Sequence, residues 1–133
     1  MNFLKMYLIA FVVFLIVDAI WLTFVANNFY KKHLGFIMSD TPNFVAAIIF
    51  YLIFIVGLVY FVIMPGIDAQ SIGKILLGGF LFGFITYATY DLTNLATLKD
   101  WPIIVTVVDL AWGSILSTVI SLATYFIYTW IWL

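Results

Sequence analysis

The chain has no cysteine, no arginine and no glutamate, and its 133 residues include a single histidine, His33. Without cysteine it cannot form a disulfide, a thiolate metal site or a cysteine nucleophile. One imidazole is too few for a histidine-based metal or haem site within one chain. The five lysines and six aspartates leave a formal net charge of -1. No basic patch is therefore available to bind nucleic acid, and that partner class is excluded.

Charged residues of either sign are scarce. They make up 8% of the chain, whereas hydrophobic residues make up 67%. A soluble domain carries about 25% charged residues, so this composition cannot supply a surface that faces water. The sequence therefore predicts an integral membrane protein whose surface contacts membrane lipid.

Four long apolar runs divide the chain, each close to the roughly 20 residues that a helix needs to cross a bilayer. The alternating polarity of a membrane β-barrel is absent. We predict an all-α, integral membrane four-helix bundle that forms a single domain over residues 1–133. Its helices are predicted at about 7–26, 44–64, 75–98 and 103–125. An even number of spans places both termini on the same side, but the lysines are too evenly divided to orient the bundle.

Three aspartates interrupt these runs: Asp18, Asp91 and Asp109 lie in the first, third and fourth predicted helices. At about 1.5 Å per residue, all three lie roughly 9–12 Å from the helix ends on the side of the membrane that does not hold the two chain termini. An acid that faces lipid costs on the order of 2.5–3.5 kcal/mol. We therefore expect the three side chains to point inward and to form one polar site at a common depth.

No lysine lies at the depth of these aspartates, although Lys99 at the nearby boundary could snorkel inward. Because burial and mutual repulsion oppose three charges in one place, we expect at least one carboxyl group to be protonated. No cofactor is predicted. The oxygen ligands nonetheless leave open a hard cation, such as sodium, calcium or magnesium, at the aspartates.

Aromatic and polar residues accompany the aspartates at helical spacing. The predicted acid–base or proton-relay residues are Asp18, Asp91 and Asp109. The predicted substrate-binding residues are Trp21, Tyr87, Tyr90, Asn94, Thr97, Lys99 and Trp112. In the structural alternative, the same acids hydrogen-bond neighbouring side chains only to fix the helix register.

Small residues predict where helices approach closely. Gly79 and Gly83 form a G-x-x-x-G motif in the third run, and Gly113, Ser117 and Ser121 recur every four residues in the fourth. Such ladders let helix backbones come together in a membrane. We predict that these faces pack, within the bundle or between copies in a homo-oligomer.

Three segments carry a resemblance to a known family: residues 90–102 (YDLTNLATLKDWP), 108–113 (VDLAWG) and 18–22 (DAIWL). With these segments the chain resembles the bacterial family called domain of unknown function 2177, a set of small membrane proteins. The resemblance extends over the whole chain. It implies a protein of the bacterial cytoplasmic (inner) membrane, singles out the same aspartates, and supplies no reaction.

Three functions fit these residues. In the first, the protein binds or modifies a lipid-like small molecule, with Asp91 and Asp109 as acid and base. In the second, it is a proton- or cation-coupled transporter or channel that works as an oligomer. In the third, it is a structural or regulatory membrane subunit. No motif identifies a reaction, so the sequence decides neither for nor against an enzyme.

Overall fold

The computed structural model describes residues 2–133 as a bundle of four long helices. They are α1 (Phe3–Leu34), α2 (Phe44–Asp68), α3 (Ile72–Thr97) and α4 (Ile103–Trp132). All four are long and apolar enough to cross a membrane, and residues 2–133 contain no strand. The predicted all-α class and the prediction of four helices long and apolar enough to span a membrane are confirmed.

Two helices are longer than their apolar runs. Helix α1 continues past residue 26 to Leu34, and α4 continues past residue 125 to Trp132. Polar residues such as Asn27 and Asn28 mark the edge of an apolar run, but they do not break a helix as proline or glycine does. In α1 the first such residue is Gly35, directly after the helix ends.

Two segments of the bundle have π-helical backbone: Leu22–Ala26 within α1 and Val59–Ile63 within α2. The wider π turn changes the face on which all later residues of a helix lie. Such segments are frequent at functional sites. The segment in α1 separates Trp21 from the polar end of the helix, so it decides which residues there face the bundle.

Helices α3 and α4 make the closest contact of the fold, and three glycines allow it. A methyl group added at Gly83 would lie 2.0 Å from the backbone oxygen of Gly113. One added at Gly79 would lie 3.1 Å from the Cα of Thr118, and one at Gly113 would lie 2.3 Å from the Tyr87 ring. The prediction that these small residues form a packing face is confirmed, and the face lies within the bundle.

The packed core lies toward the end of the bundle where the chain starts. The fully buried side chains there come from all four helices and include Phe14, Ile55, Leu58, Ile63, Ile75, Leu116 and Ile120. Helix α2 has no buried residue from 44 to 53, and its burial begins at Phe54. The bundle is therefore closed around its core and open beside the first half of α2.

Helices α1 and α4 run antiparallel, and aromatic contacts set their register. The rings of Trp21 and Trp112 stack with centroids 4.2 Å apart and planes 8° from parallel. Near the chain ends, the Lys5 amino group lies 4.7 Å from the centroid of the Trp132 ring. These two contacts hold one side of α1 against α4 and fix the relative height of their aspartates.

Candidate functional site

Asp91 of α3 and Asp109 of α4 form a buried pair. Their carboxyl groups lie within hydrogen-bonding reach of each other. Asp91 is 0% exposed, and among residues 2–133 no N–H or hydroxyl group donates to either of its carboxyl oxygens. Because two carboxylates repel, this contact is favourable only when one carboxyl group holds a proton and donates it to the other. The pair can therefore store one proton inside the bundle.

Tyr30 of α1 completes this end of the site. Its hydroxyl donates a hydrogen bond to Oδ1 of Asp109, and its ring lies 6.5 Å from that of Trp21. Trp21 and Tyr30 are nine positions apart, a spacing that places them on opposite faces of a regular α-helix. The π-helical turn at Leu22–Ala26 shifts the face of the later residues, which lets both rings point toward α4.

Asp18 lies deeper in the bundle than the Asp91–Asp109 pair. Because α1 and α4 are antiparallel, the stacked Trp21 and Trp112 place Asp18 one turn to one side and Asp109 one turn to the other. At 1.5 Å per residue the two acids are about 9 Å apart along the helix axes. The common depth therefore holds for Asp91 and Asp109 only, because α1 extends further than its apolar run indicates.

Two tyrosines surround Asp18. The Tyr51 hydroxyl of α2 is close enough to hydrogen-bond its half-buried carboxyl group. Tyr87 of α3 lies near all three aspartates, one turn from Asp91, and its ring occupies the space that Gly113 leaves open. Tyr87 therefore connects the deeper acid with the pair, and the three aspartates belong to one polar region with two levels.

A cavity of about 320 Å³ opens beside the pair. Four of its lining side chains are aromatic and two others are polar: Tyr30, Phe50, Thr86, Tyr87, Tyr90 and Asp109. Asp109 is 6% exposed, so the cavity gives limited access to an otherwise buried acid. The cavity lies where the first half of α2 has no buried residue, and it is half open to the surroundings.

The structure separates the predicted site residues into three groups. Tyr87, Tyr90 and Asp109 line the cavity, whereas Asp91, Asp18 and the Trp21–Trp112 stack lie beside or behind it. Outside the cavity are Asn94, which lies near the Tyr90 hydroxyl, and the exposed Thr97 and Lys99. Lys99 is displaced because α3 ends at Thr97 and the backbone then becomes extended.

Four residues at the site were not predicted from the sequence: Tyr30, Phe50, Tyr51 and Thr86. Tyr30 lies outside the helix predicted at about 7–26, and the helix predicted at about 44–64 contains no charged residue that would mark it as part of a polar site. The sequence does contain a signal for Thr86, because Thr86, Tyr87 and Tyr90 lie within about one turn of α3 and could be expected to line the same site. No sequence signal identifies Phe50, since its role depends on the position of α2.

The charge at the site is unbalanced. Asp109 lines the cavity and no lysine does. The side chains of all five lysines are exposed. Within residues 2–133, no three histidine, cysteine, aspartate or glutamate side chains gather as ligands for a metal ion. The site consequently combines one acid with phenol and threonine hydroxyls and aromatic rings.

Replacing Tyr30 with phenylalanine should loosen the end of α1 while keeping its ring contacts. A hydrogen bond to a charged group contributes about 1.5–3 kcal/mol, and every 1.4 kcal/mol is about a tenfold change in an equilibrium. We expect amide hydrogen exchange in residues 27–34 to become about tenfold faster, as measured by mass spectrometry. The matched control is Tyr60→Phe, at a side chain that is 60% exposed on α2. Equal exchange in the two variants would contradict the anchoring role of Tyr30.

The comparisons with known proteins identify a family. The family model described as "Predicted membrane protein (DUF2177)" matches residues 3–126, which includes α1 to α3, most of α4 and the three aspartates. No curated protein and no solved structure matches the chain.

Proposed function

The chain belongs to the family of predicted membrane proteins DUF2177, and we propose that it binds a lipid-like small molecule inside the membrane. The observation that carries this proposal is the aromatic cavity beside the Asp91–Asp109 pair. Its volume of about 320 Å³ falls in the range of small-molecule pockets, which hold a few polar groups in a mostly apolar lining. We place the protein in the bacterial cytoplasmic membrane.

Access to the cavity is from the lipid phase. None of residues 44–53 of α2 is fully buried, and Phe50 is 47% exposed, so the side of the bundle next to Phe50 is not closed by protein. An amphiphile in the surrounding leaflet reaches the cavity by lateral movement, without crossing water. Its apolar chain then stays against α2, and only its polar end needs to enter.

The polar end of the ligand is held by hydrogen bonds. Asp109 reaches the cavity with its carboxyl group, and the Tyr90 side chain, 58% exposed, stands at the open side. Thr86 adds little, since its hydroxyl already donates to the backbone oxygen of Phe82 at 2.8 Å. A hydroxyl or amine on the ligand donates to Asp109, and Tyr90 donates to an acceptor.

Acid–base chemistry is a further use of the same geometry. The proton shared by Asp91 and Asp109 lies next to the place that the ligand's polar group occupies. Donation of this proton from the pair to a bound group would leave both acids charged, and mutual repulsion opposes that state. Binding is consequently the function that the site supports best, with proton transfer as a step that a basic ligand group would favour.

A photoreactive dodecanol carrying a diazirine tests this proposal. We expect the probe, added to the protein in dodecyl maltoside micelles, to label residues around the cavity, notably Phe50 and Tyr90, as mapped by mass spectrometry. Thr86→Trp fills the cavity and should remove most of this labelling. The matched control is Thr89→Trp, one turn along the exposed side of α3, which should leave the labelling intact.

The proposal is wrong if labelling spreads evenly over the lipid-facing helices. It is also wrong if Thr86→Trp and Thr89→Trp label alike while both variants keep the helical content of the native protein. Circular dichroism of each purified variant supplies that check, so loss of labelling through misfolding is separated from loss of the cavity.

A further inference from the structure

We infer that the ligand of this cavity is a lipophilic organic cation, such as an alkylammonium amphiphile. This inference rests on the proposed function and names its ligand class. It follows from the sign of the charge at the cavity, from the aromatic lining and from the buried acid behind Asp109.

The charge at the cavity calls for a positive partner. Tyr30 donates to Asp109, and a hydrogen bond from a hydroxyl stabilises the charged form of a carboxyl group. With one proton shared between Asp91 and Asp109, the pair carries one negative charge. Uncompensated charge inside a membrane is costly, and such acids normally pair with an opposite charge. No lysine lines the cavity, so the protein does not supply that charge and the ligand does.

The lining matches an organic cation better than other ligands. Three tyrosine rings and one phenylalanine ring surround the cavity. The faces of such rings attract ammonium groups, and aromatic cages are the usual sites for quaternary ammonium. Phenol rings combine this attraction with contact to the alkyl substituents of the cation. A ligand with an anionic head group would instead meet Asp109 with no basic side chain to offset the repulsion.

The state of Asp91 is the second, independent sign of an incomplete site. Its side chain is 0% exposed, and apart from the carboxyl group of Asp109 no group among residues 2–133 donates to its two oxygens. The proton that the pair shares can satisfy one of these oxygens, and the other meets no donor in the described part of the chain. Buried polar atoms are nearly always satisfied, and exceptions need an explanation. A cation bound at Asp109 would reduce the negative potential that Asp91 experiences. A bare metal ion fits less well, because no third histidine, cysteine, aspartate or glutamate side chain among residues 2–133 joins the pair as a ligand.

The experiment compares three dodecyl compounds that differ only in head group. Dodecyltrimethylammonium, dodecanol and dodecyl phosphate compete with the photoreactive dodecanol at equal mole fractions in dodecyl maltoside micelles. We expect the ammonium compound to displace the probe at a concentration about tenfold or more below that of dodecanol. Dodecyl phosphate should be the weakest competitor.

Two variants test whether the preference for the ammonium compound arises at this cavity. Asp109→Asn should abolish the advantage of the ammonium compound while dodecanol still competes. If Asp109→Asn fails to fold, Tyr90→Leu keeps the acid and removes one aromatic ring at an exposed position, and it should reduce the advantage severalfold.

The possible outcomes distinguish failure of this inference from failure of the proposed function. If dodecanol competes as well as or better than the ammonium compound, the cation inference is overturned and amphiphile binding stands. If none of the three compounds displaces the probe, both fail. If the ammonium advantage survives in folded Asp109→Asn, the cation binds elsewhere and the assignment to this cavity is wrong.

Discussion

Gly83→Ala is expected to destabilise the bundle by about 3 kcal/mol or more. The added methyl group would lie 2.0 Å from the backbone oxygen of Gly113 and 2.5 Å from Oγ of Ser117. A side chain can rotate away from such a collision, but a backbone oxygen moves only if α3 and α4 separate. Since packing rather than the hydrophobic effect drives association of membrane helices, separation removes what holds the pair together.

The measurement is unfolding of the purified protein by sodium dodecyl sulfate, followed by tryptophan fluorescence and circular dichroism. Gly73→Ala is the matched control, because a methyl group there has its nearest neighbour, Oγ of Ser71, at 3.7 Å. Its stability should change by no more than about 1 kcal/mol, the difference in helix propensity between the two residues. A Gly83→Ala protein as stable as the Gly73→Ala control would mean that α3 and α4 do not pack through this face.

Asp91→Asn is expected to stabilise the protein by about 1 kcal/mol or more. The asparagine side chain carries its own N–H donors and can hydrogen-bond the Asp109 carboxylate without a shared proton. The substitution also removes the need for a fully buried pair of acids to bind a proton in order to avoid repulsion. A gain in stability on removal of an acid is the mark of a group that is kept for a purpose other than folding.

The same unfolding assay checks this prediction, and Asp40→Asn provides its control. Asp40 lies exposed in the connector between α1 and α2, where the same chemical change should alter stability by less than about 0.5 kcal/mol. A destabilised Asp91→Asn protein would instead show that Asp91 serves the fold, which is the structural alternative for the three acids.

The depths of the three aspartates could be predicted from the sequence only in part. Asp91 and Asp109 could be matched from their distances to the helix ends, because α3 and α4 are joined by a short connector that fixes their relative height. Asp18 could not be matched in this way. Its depth was counted from residue 26, whereas α1 continues to Leu34. The count therefore started from a residue inside the helix and not from the end of the helix.

Tyr30 could not be assigned to the site from periodicity either. A regular helix places Tyr30 on the face opposite Trp21, and no residue type in Leu22–Ala26 predicts that the backbone is π-helical there. On either side of that turn, α1 contacts α4 through the Trp21–Trp112 stack and the Tyr30–Asp109 hydrogen bond, and local sequence does not specify these contacts. The hydrogen bond to Asp109 is a product of this tertiary arrangement.

The sequence by itself determined that the surface contacts membrane lipid, how many helices can span the membrane, the helical class, and the close approach of the glycine faces of α3 and α4. These follow from local properties, since an apolar run of membrane length must satisfy its own backbone by forming a helix. Only the tertiary structure decided which acids meet, at which depth, and that an aromatic cavity opens beside Asp109. Those features depend on how whole helices are shifted, turned and splayed against one another, and such rigid-body relations depend on the packing of all four helices at once.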